Sequence, residues 1–121
     1  MNQGADLLPR AQLETLEHLL ALIQRLYDET AGFAAQFDDG QPWYNRGYAN
    51  GMIAALTSLG YRDFVDARMR ADEEGVIAGN EIMAWGKAYQ HGFEVGAIDV
   101  RDVIGPITTD TPPAVHPDRT W

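Results

Sequence analysis

Tyr44-Asn45-Arg46-Gly47-Tyr48-Ala49-Asn50-Gly51-Met52-Ile53 is answered later in the chain by Tyr89-Gln90-His91-Gly92-Phe93-Glu94-Val95-Gly96-Ala97-Ile98. The shared pattern is tyrosine, amide, base, glycine, aromatic, two variable residues, glycine, methionine or alanine, isoleucine. Downstream, Arg62-Asp63-Phe64-Val65 is echoed by Arg101-Asp102-Val103-Ile104 after a shorter gap. Two copies are too few for a solenoid. They predict a pseudo-symmetric pair of helical units instead.

On helices, Gly47, Gly51 and Ala55 are four apart and share one face, as do Ala88, Gly92 and Gly96. A glycine inside a helix costs roughly 0.8–1 kcal/mol against alanine, so the four glycines together cost about 3–4 kcal/mol. Close backbone approach between the second and fourth helices offsets that cost most simply. Tyr44, Tyr48, Tyr89 and Phe93 would then flank the crossing. Two other readings stay open. One small-residue stripe could receive a partner helix. Alternatively Asn50-Gly51 forms a hairpin turn after a strand over 43–48, although the Met52-Ile53-Ala54-Ala55-Leu56 run opposes this.

Working outward, helical spacing is strongest from Arg10 to about Asp28. Leu13, Leu16, Leu20, Ile23 and Tyr27 recur at steps of three and four, and Leu19, Leu22 and Leu26 broaden the stripe. That breadth makes self-association through the first helix, as a homodimer, a natural variant. The helix either continues through Ala31, Ala34 and Phe37 or bends near Gly32, before Asp38-Asp39-Gly40 turns the chain. Pro42 opens a second helix running to Leu59, with Gly60 as its C-cap. A third helix is expected from Arg62 to about Glu73, amphipathic through Phe64, Val65, Ala67 and Met69. A fourth is expected from Glu81 to about Ile98 with Asn80 as N-cap, and residues 100–104 add a last turn. The expected fold class is all-α, a compact bundle of four main helices. A lead covers residues 1–8, the domain 9–104, and a tail 105–121 that holds four of the six prolines and is expected to be extended.

Composition narrows the function. The 121 residues fit one domain, and 45% are apolar, enough for a core without crosslinks. Without cysteine there are no disulfides, thiolate metal sites or cysteine nucleophiles. The first residues lack a signal-peptide pattern and no apolar run is long enough to span a bilayer, so a cytoplasmic protein without membrane contact is expected. The net charge is −9, with Lys87 the single lysine, and phosphate backbones repel such a domain. Direct nucleic-acid binding is therefore not expected. Arg62, Arg68 and Arg70 interleave with Asp63, Asp66 and Asp72, a pattern that reads as intrahelical pairing on a solvated face.

No motif announces a catalyst. Ser58 is the only serine and lacks a nucleophile-elbow setting. No phosphate loop, dinucleotide fingerprint or zinc motif occurs. A di-iron site needs Glu-x-x-His pairs, whereas Glu14-x-x-Glu17 lacks the histidine and His91-x-x-Glu94 is reversed. A helical magnesium-dependent nucleotide pyrophosphohydrolase resembles this chain in size and uses Glu-x-x-Glu followed by Glu-x-x-Asp. Glu14 and Glu17 match its first half, and Asp63 and Asp66 stand where its second half would fall. That resemblance implies an enzyme alternative with those four carboxylates as metal ligands. The glycine-spaced helices also resemble the repeated Gly-x-x-x units of the Yae1/Lto1 adaptor proteins over the two stretches quoted above, without their long uninterrupted run.

The favoured expectation is a non-enzymatic, cofactor-free protein-binding module, adaptor-like or inhibitor-like. It presents a negative helical surface to a partner with a basic or helical surface. Asp63, Asp66, Asp72, Glu73 and Glu74 are its expected contact residues, with Trp121 as an aromatic anchor. By analogy of size and charge, phage-encoded inhibitors that occupy basic nucleic-acid-binding surfaces belong to the same kind.

Overall fold

A computed structural model describes residues 10–104 except Gln36, Glu73 and Glu74. The expected lead, the tail with Trp121, and Glu73 and Glu74 lie outside the described residues. All regular structure among the described residues is helical: α1 (Arg10–Glu29), a 3-10 turn (Phe33–Ala35), α2 (Gly40–Ser58), α3 (Arg62–Asp66) and α4 (Ala84–Val103). The strand reading of residues 43–48 is thereby excluded, since they lie inside α2.

The sequence signals act at the helix ends. Gly32 takes a φ of 81°, which stops α1 and turns the chain into the 3-10 segment. Asp39 caps α2, its side chain accepting from the Gln41 N–H at 3.0 Å. The helix therefore starts at Gly40, ahead of Pro42, whose missing N–H falls in the first turn where no partner is needed. Beyond Ser58, Gly60 adopts a φ of 99° and the Tyr61 N–H reaches back to the Leu56 carbonyl at 2.8 Å. That is a Schellman ending, with glycine in the position that disfavours a Cβ.

Two expected boundaries are corrected. α3 stops at Asp66 instead of continuing to Glu73. Asp72 bonds to Arg46 of α2, and its backbone N–H donates to the Tyr27 hydroxyl at 2.8 Å. These tertiary bonds draw the chain inward, off the helical path. α4 starts at Ala84, not Glu81, and runs unbroken past Ile98 to Val103. Here the Asn80 carbonyl folds over the first turn. A Cβ on Gly86 would stand 2.1 Å from that oxygen, so the approach depends on glycine.

α1 runs antiparallel to α2. Gln12, near its start, donates to the Tyr61 hydroxyl at 2.6 Å, whereas Tyr27, near its end, bonds to Asn50 in the middle of α2. Leu16, Leu20 and Ile23 are buried against Ala49, Met52, Leu56, Val65, Val100 and Ile104, which make the main core. Each fully buried side chain of this size contributes about 1.5–3 kcal/mol of transfer free energy. This core uses most of the α1 stripe and leaves Leu22 at its margin, 36% exposed.

α2 and α4 run parallel and touch along their backbones. A Cβ on Gly47 would lie 2.0 Å from the Tyr89 carbonyl oxygen, and one on Gly51 2.0 Å from that of Phe93. Reciprocally, a Cβ on Gly92 would lie 2.1 Å from the Tyr44 oxygen, and one on Gly96 2.1 Å from that of Tyr48. The contacts advance together along both helices, which sets the parallel direction. The segment from Leu59 to Met83 carries the chain back between them.

Candidate functional site

Two features outside the glycine crossing carry chemistry. One is an aromatic cluster at the N-terminal ends of α2 and α4. Trp43 and Trp85 face each other with ring centres 4.2 Å apart, and Phe33 meets Trp43 edge-on at 4.9 Å. Phe37 covers both indoles, at 5.5 Å from Trp85 and 6.2 Å from Trp43. Trp43 is buried, but Phe37 is 59% exposed. Ile82 and Met83, which lead into Trp85, are 81% and 45% exposed. Leu22, Ile98 and Val103 are the other exposed large apolar side chains among the described residues, and they lie away from the tryptophans on α1 and on the far part of α4. Exposed apolar side chains beside a packed aromatic cluster are where protein contacts form. Asp38, Asp39 and Glu81, all exposed, adjoin these residues in the chain and give that end negative charge.

The other feature is a polar network where α1, α2 and the return segment meet. Arg46 grips the Asp72 carboxylate through two nitrogens, Nε at 2.8 Å and Nη2 at 3.3 Å. Its Nη1 donates to the Tyr27 carbonyl at 3.1 Å and to the buried Thr30 hydroxyl at 2.7 Å. The guanidinium also lies over the Tyr27 ring at 3.8 Å and the Phe33 ring at 4.7 Å. Asn50 donates to Asp72 at 3.0 Å and to the Tyr89 hydroxyl at 2.8 Å, and accepts from the Tyr27 hydroxyl.

Burial alone would raise the Asp72 pKa. The hydrogen bonds and charge of Arg46, with the Asn50 amide and the Tyr27 hydroxyl, outweigh burial and hold the carboxyl below its ordinary value. Tyr27 is pushed up to about 12, chiefly by burial. Burial also raises Tyr89, and raises Tyr44 with help from the Asp99 charge.

The expected contact residues divide. Asp63 and Asp66 are exposed on α3, and Asp66 pairs with Arg62 at 3.0 Å, one helical turn away as the spacing implied. Asp72 instead faces inward to Arg46, and Arg68 leaves its own segment to meet Glu17 of α1 at 3.4 Å while lying 3.7 Å over the Phe64 ring. The expectation of intrahelical pairing thus holds for Arg62 alone among these. Glu14 and Glu17 are exposed on α1. Among the described residues no group of three or more His, Asp or Glu is placed to hold a metal ion.

The sequence reading set Phe37 on one continuation of the first helix and Ile82 and Met83 inside the fourth, so their exposure was not foreseen. The first helix ends at Glu29 and α4 begins only at Ala84, which leaves all three outside the long helices.

What the fold defines is an all-α bundle with a glycine-packed parallel helix pair at its centre. None of its described helices is long and apolar enough to cross a membrane. Comparison with protein-family models, with curated proteins and with solved structures gives no match for this chain.

Proposed function

We propose that this domain is a non-enzymatic protein-binding module. The observation that carries the reading is the exposed ring of Phe37 packed on the Trp43–Trp85 pair, with exposed Ile82 and Met83 just ahead of Trp85 in the chain, on an acidic body. The partner chemistry that suits this end is a basic segment with apolar residues on one face, most simply a helix. Apolar side chains lie against Phe37 and Ile82, while lysines and arginines face Asp38, Asp39 and Glu81. The exposed acids Asp63 and Asp66, with Glu73, Glu74 and Trp121, extend the contact or the electrostatic steering. A basic nucleic-acid-binding surface on the partner fits the same charge logic, and the module would then act as an inhibitor by occupying it.

The test is capture from the host with the wild-type chain and with a Phe37→Ser/Ile82→Ser double variant, both checked for folding by circular dichroism. The expected result is a partner retained by the wild type, released by raised salt and lost with the double variant. Undiminished capture by a folded double variant would remove the apolar end from the reading. Alanine at Glu14 and Glu17 should leave capture unchanged. Magnesium-dependent nucleotide hydrolysis that these two substitutions abolish would replace binding with catalysis.

A further inference from the structure

The aromatic end has a candidate occupant in the chain itself. Phe37 is 59% exposed and Trp85 partly buried, and their rings meet edge-on with centres 5.5 Å apart. With Trp43 beside Trp85 at 4.2 Å, they form an aromatic ledge. Proline-rich segments in the polyproline II form dock on aromatic surfaces of this kind.

The matching sequence is Thr111-Pro112-Pro113-Ala114-Val115-His116-Pro117, which lies outside the described residues. Its three prolines fix φ in advance, so little backbone freedom is left to lose on docking. The stretch holds no carboxylate, and nothing in it is repelled by Asp38, Asp39 or Glu81.

Chain length brings this stretch to the aromatic end. From Trp85 to Ile104, α4 rises about 28 Å, the distance a returning segment has to cover. A polyproline II chain advances about 3.1 Å per residue, which carries residues 111–117 from about 22 to about 40 Å beyond Ile104. Trp85 falls inside that span. Gly105-Pro106, directly after Ile104, is a sequence that ends a helix and favours a reversal.

We propose that residues 111–117 fold back along α4 and lie on the Phe37–Trp85 ledge, masking the docking end until a partner displaces them. This regulation rests on the docking reading, because the masked surface is the one assigned to the partner. The short tether 105–110 holds the stretch near the ledge at an effective concentration in the ~mM range. A contact of about millimolar strength then covers the ledge roughly half the time and weakens partner binding about twofold.

The chain has no cysteine, so Ala114→Cys gives the full chain a single attachment point for a nitroxide spin label. Paramagnetic broadening is expected at the Trp85 indole N–H and at the Phe37 and Met83 amides. A free coil from Ile104 would hold the label about 17 Å away, so broadening confined to Arg101 and Ser58 overturns the proposal. Pro112→Ala/Pro113→Ala in the labelled chain, with the amide spectrum as folding check, should reduce the broadening at Trp85 at least twofold. Undiminished broadening overturns the assignment to these prolines. Spin-labelled chains mixed with isotope-labelled unmodified chains should leave Trp85 sharp, and broadening there assigns the contact to a second copy and overturns the fold-back. The double proline variant should bind a captured partner about twofold tighter, and equal affinity overturns the masking. Broadening at Trp85 in a chain that captures no partner keeps the fold-back and removes the docking reading, so the two fail separately.

Discussion

Gly51 rests directly on the backbone of Phe93, with only 2.0 Å between the Phe93 carbonyl oxygen and the place where a Cβ would sit. No side-chain rearrangement can relieve that overlap, because the opposing atoms are backbone. Gly51→Ala must therefore push α2 and α4 apart. Removing a helical glycine gains about 1 kcal/mol of propensity, while overpacking of a close contact costs typically 1–3 kcal/mol and occasionally more. A 2.0 Å approach to backbone puts the cost at the upper end of that range or above it, so the net expectation is a loss of about 2 kcal/mol or more in urea unfolding. Gly51→Ala and Gly96→Ala should behave alike, since both meet the same kind of carbonyl. An unchanged or raised midpoint in either would show that the crossing is looser than described.

Asp72 makes acid stability depend on one carboxylate. Its pKa is below the unfolded value because Arg46, Asn50 and Tyr27 together outweigh the opposing effect of burial. The unfolded chain therefore takes up the proton first as pH drops. The stability from this group is present in full above about pH 4 and fades as pH falls through the lower folded value. Asp72→Asn should cost about 1–3 kcal/mol at neutral pH. The gap from wild type should narrow below about pH 4, where the wild-type carboxyl itself becomes protonated. Parallel pH profiles for the two proteins would mean the carboxylate charge contributes nothing.

How legible these features were in the sequence follows from the range of the interactions behind them. Gly47, Gly51, Gly92 and Gly96 announced the crossing because spacing within each helix puts them on one face and the repeat pairs the faces. The α1 stripe, the turn at Gly32 and the Gly60 cap are likewise local. The end of α3 was not legible. What stops it is a bond from Asp72 to Arg46, 26 residues away, and no periodicity within 62–73 encodes that partner. The exposure of Phe37, Ile82 and Met83 was missed for a related reason. Phe37 lies beyond the end of α1 and packs on Trp85 of a helix distant in sequence, and Ile82 and Met83 precede α4 instead of belonging to it.

Tyrosine ionisation offers a spectroscopic reading of the same interior. Of the chain's five tyrosines, Tyr27, Tyr44 and Tyr89 have raised pKa values, and Tyr27 is pushed to about 12. Their neutral forms stabilise the fold fully below the unfolded pKa of about 10, and that contribution is lost as pH climbs through the higher folded values. Phenolate absorbance from these three rings should therefore lag behind that of the unfolded chain and be completed only with alkaline unfolding. Tyr27→Phe should remove the latest-ionising group and, by freeing Asn50 and the Asp72 N–H, cost about 1–3 kcal/mol. Ionisation of Tyr27, Tyr44 and Tyr89 in step with the unfolded chain, near pH 10, would contradict the buried network.

The aromatic end makes a demand that a purely structural cluster would not. Trp43 is 3% exposed beneath Phe33 and Phe37, so Trp43→Ala should cost about 3–5 kcal/mol through lost burial and a residual cavity. Phe37 has most of its ring in solvent and meets the tryptophans on one side only. Phe37→Ser should forfeit little more than one aromatic contact, about 0.5–1.5 kcal/mol, and Ile82→Ser about 0.5 kcal/mol or less. Denaturant unfolding of the three variants separates the cases. If Phe37→Ser proved as costly as Trp43→Ala, the ring would be part of the core and the docking surface would lose its centre. A large difference leaves an apolar residue whose exposure the fold does not need, which is the condition a binding residue must meet.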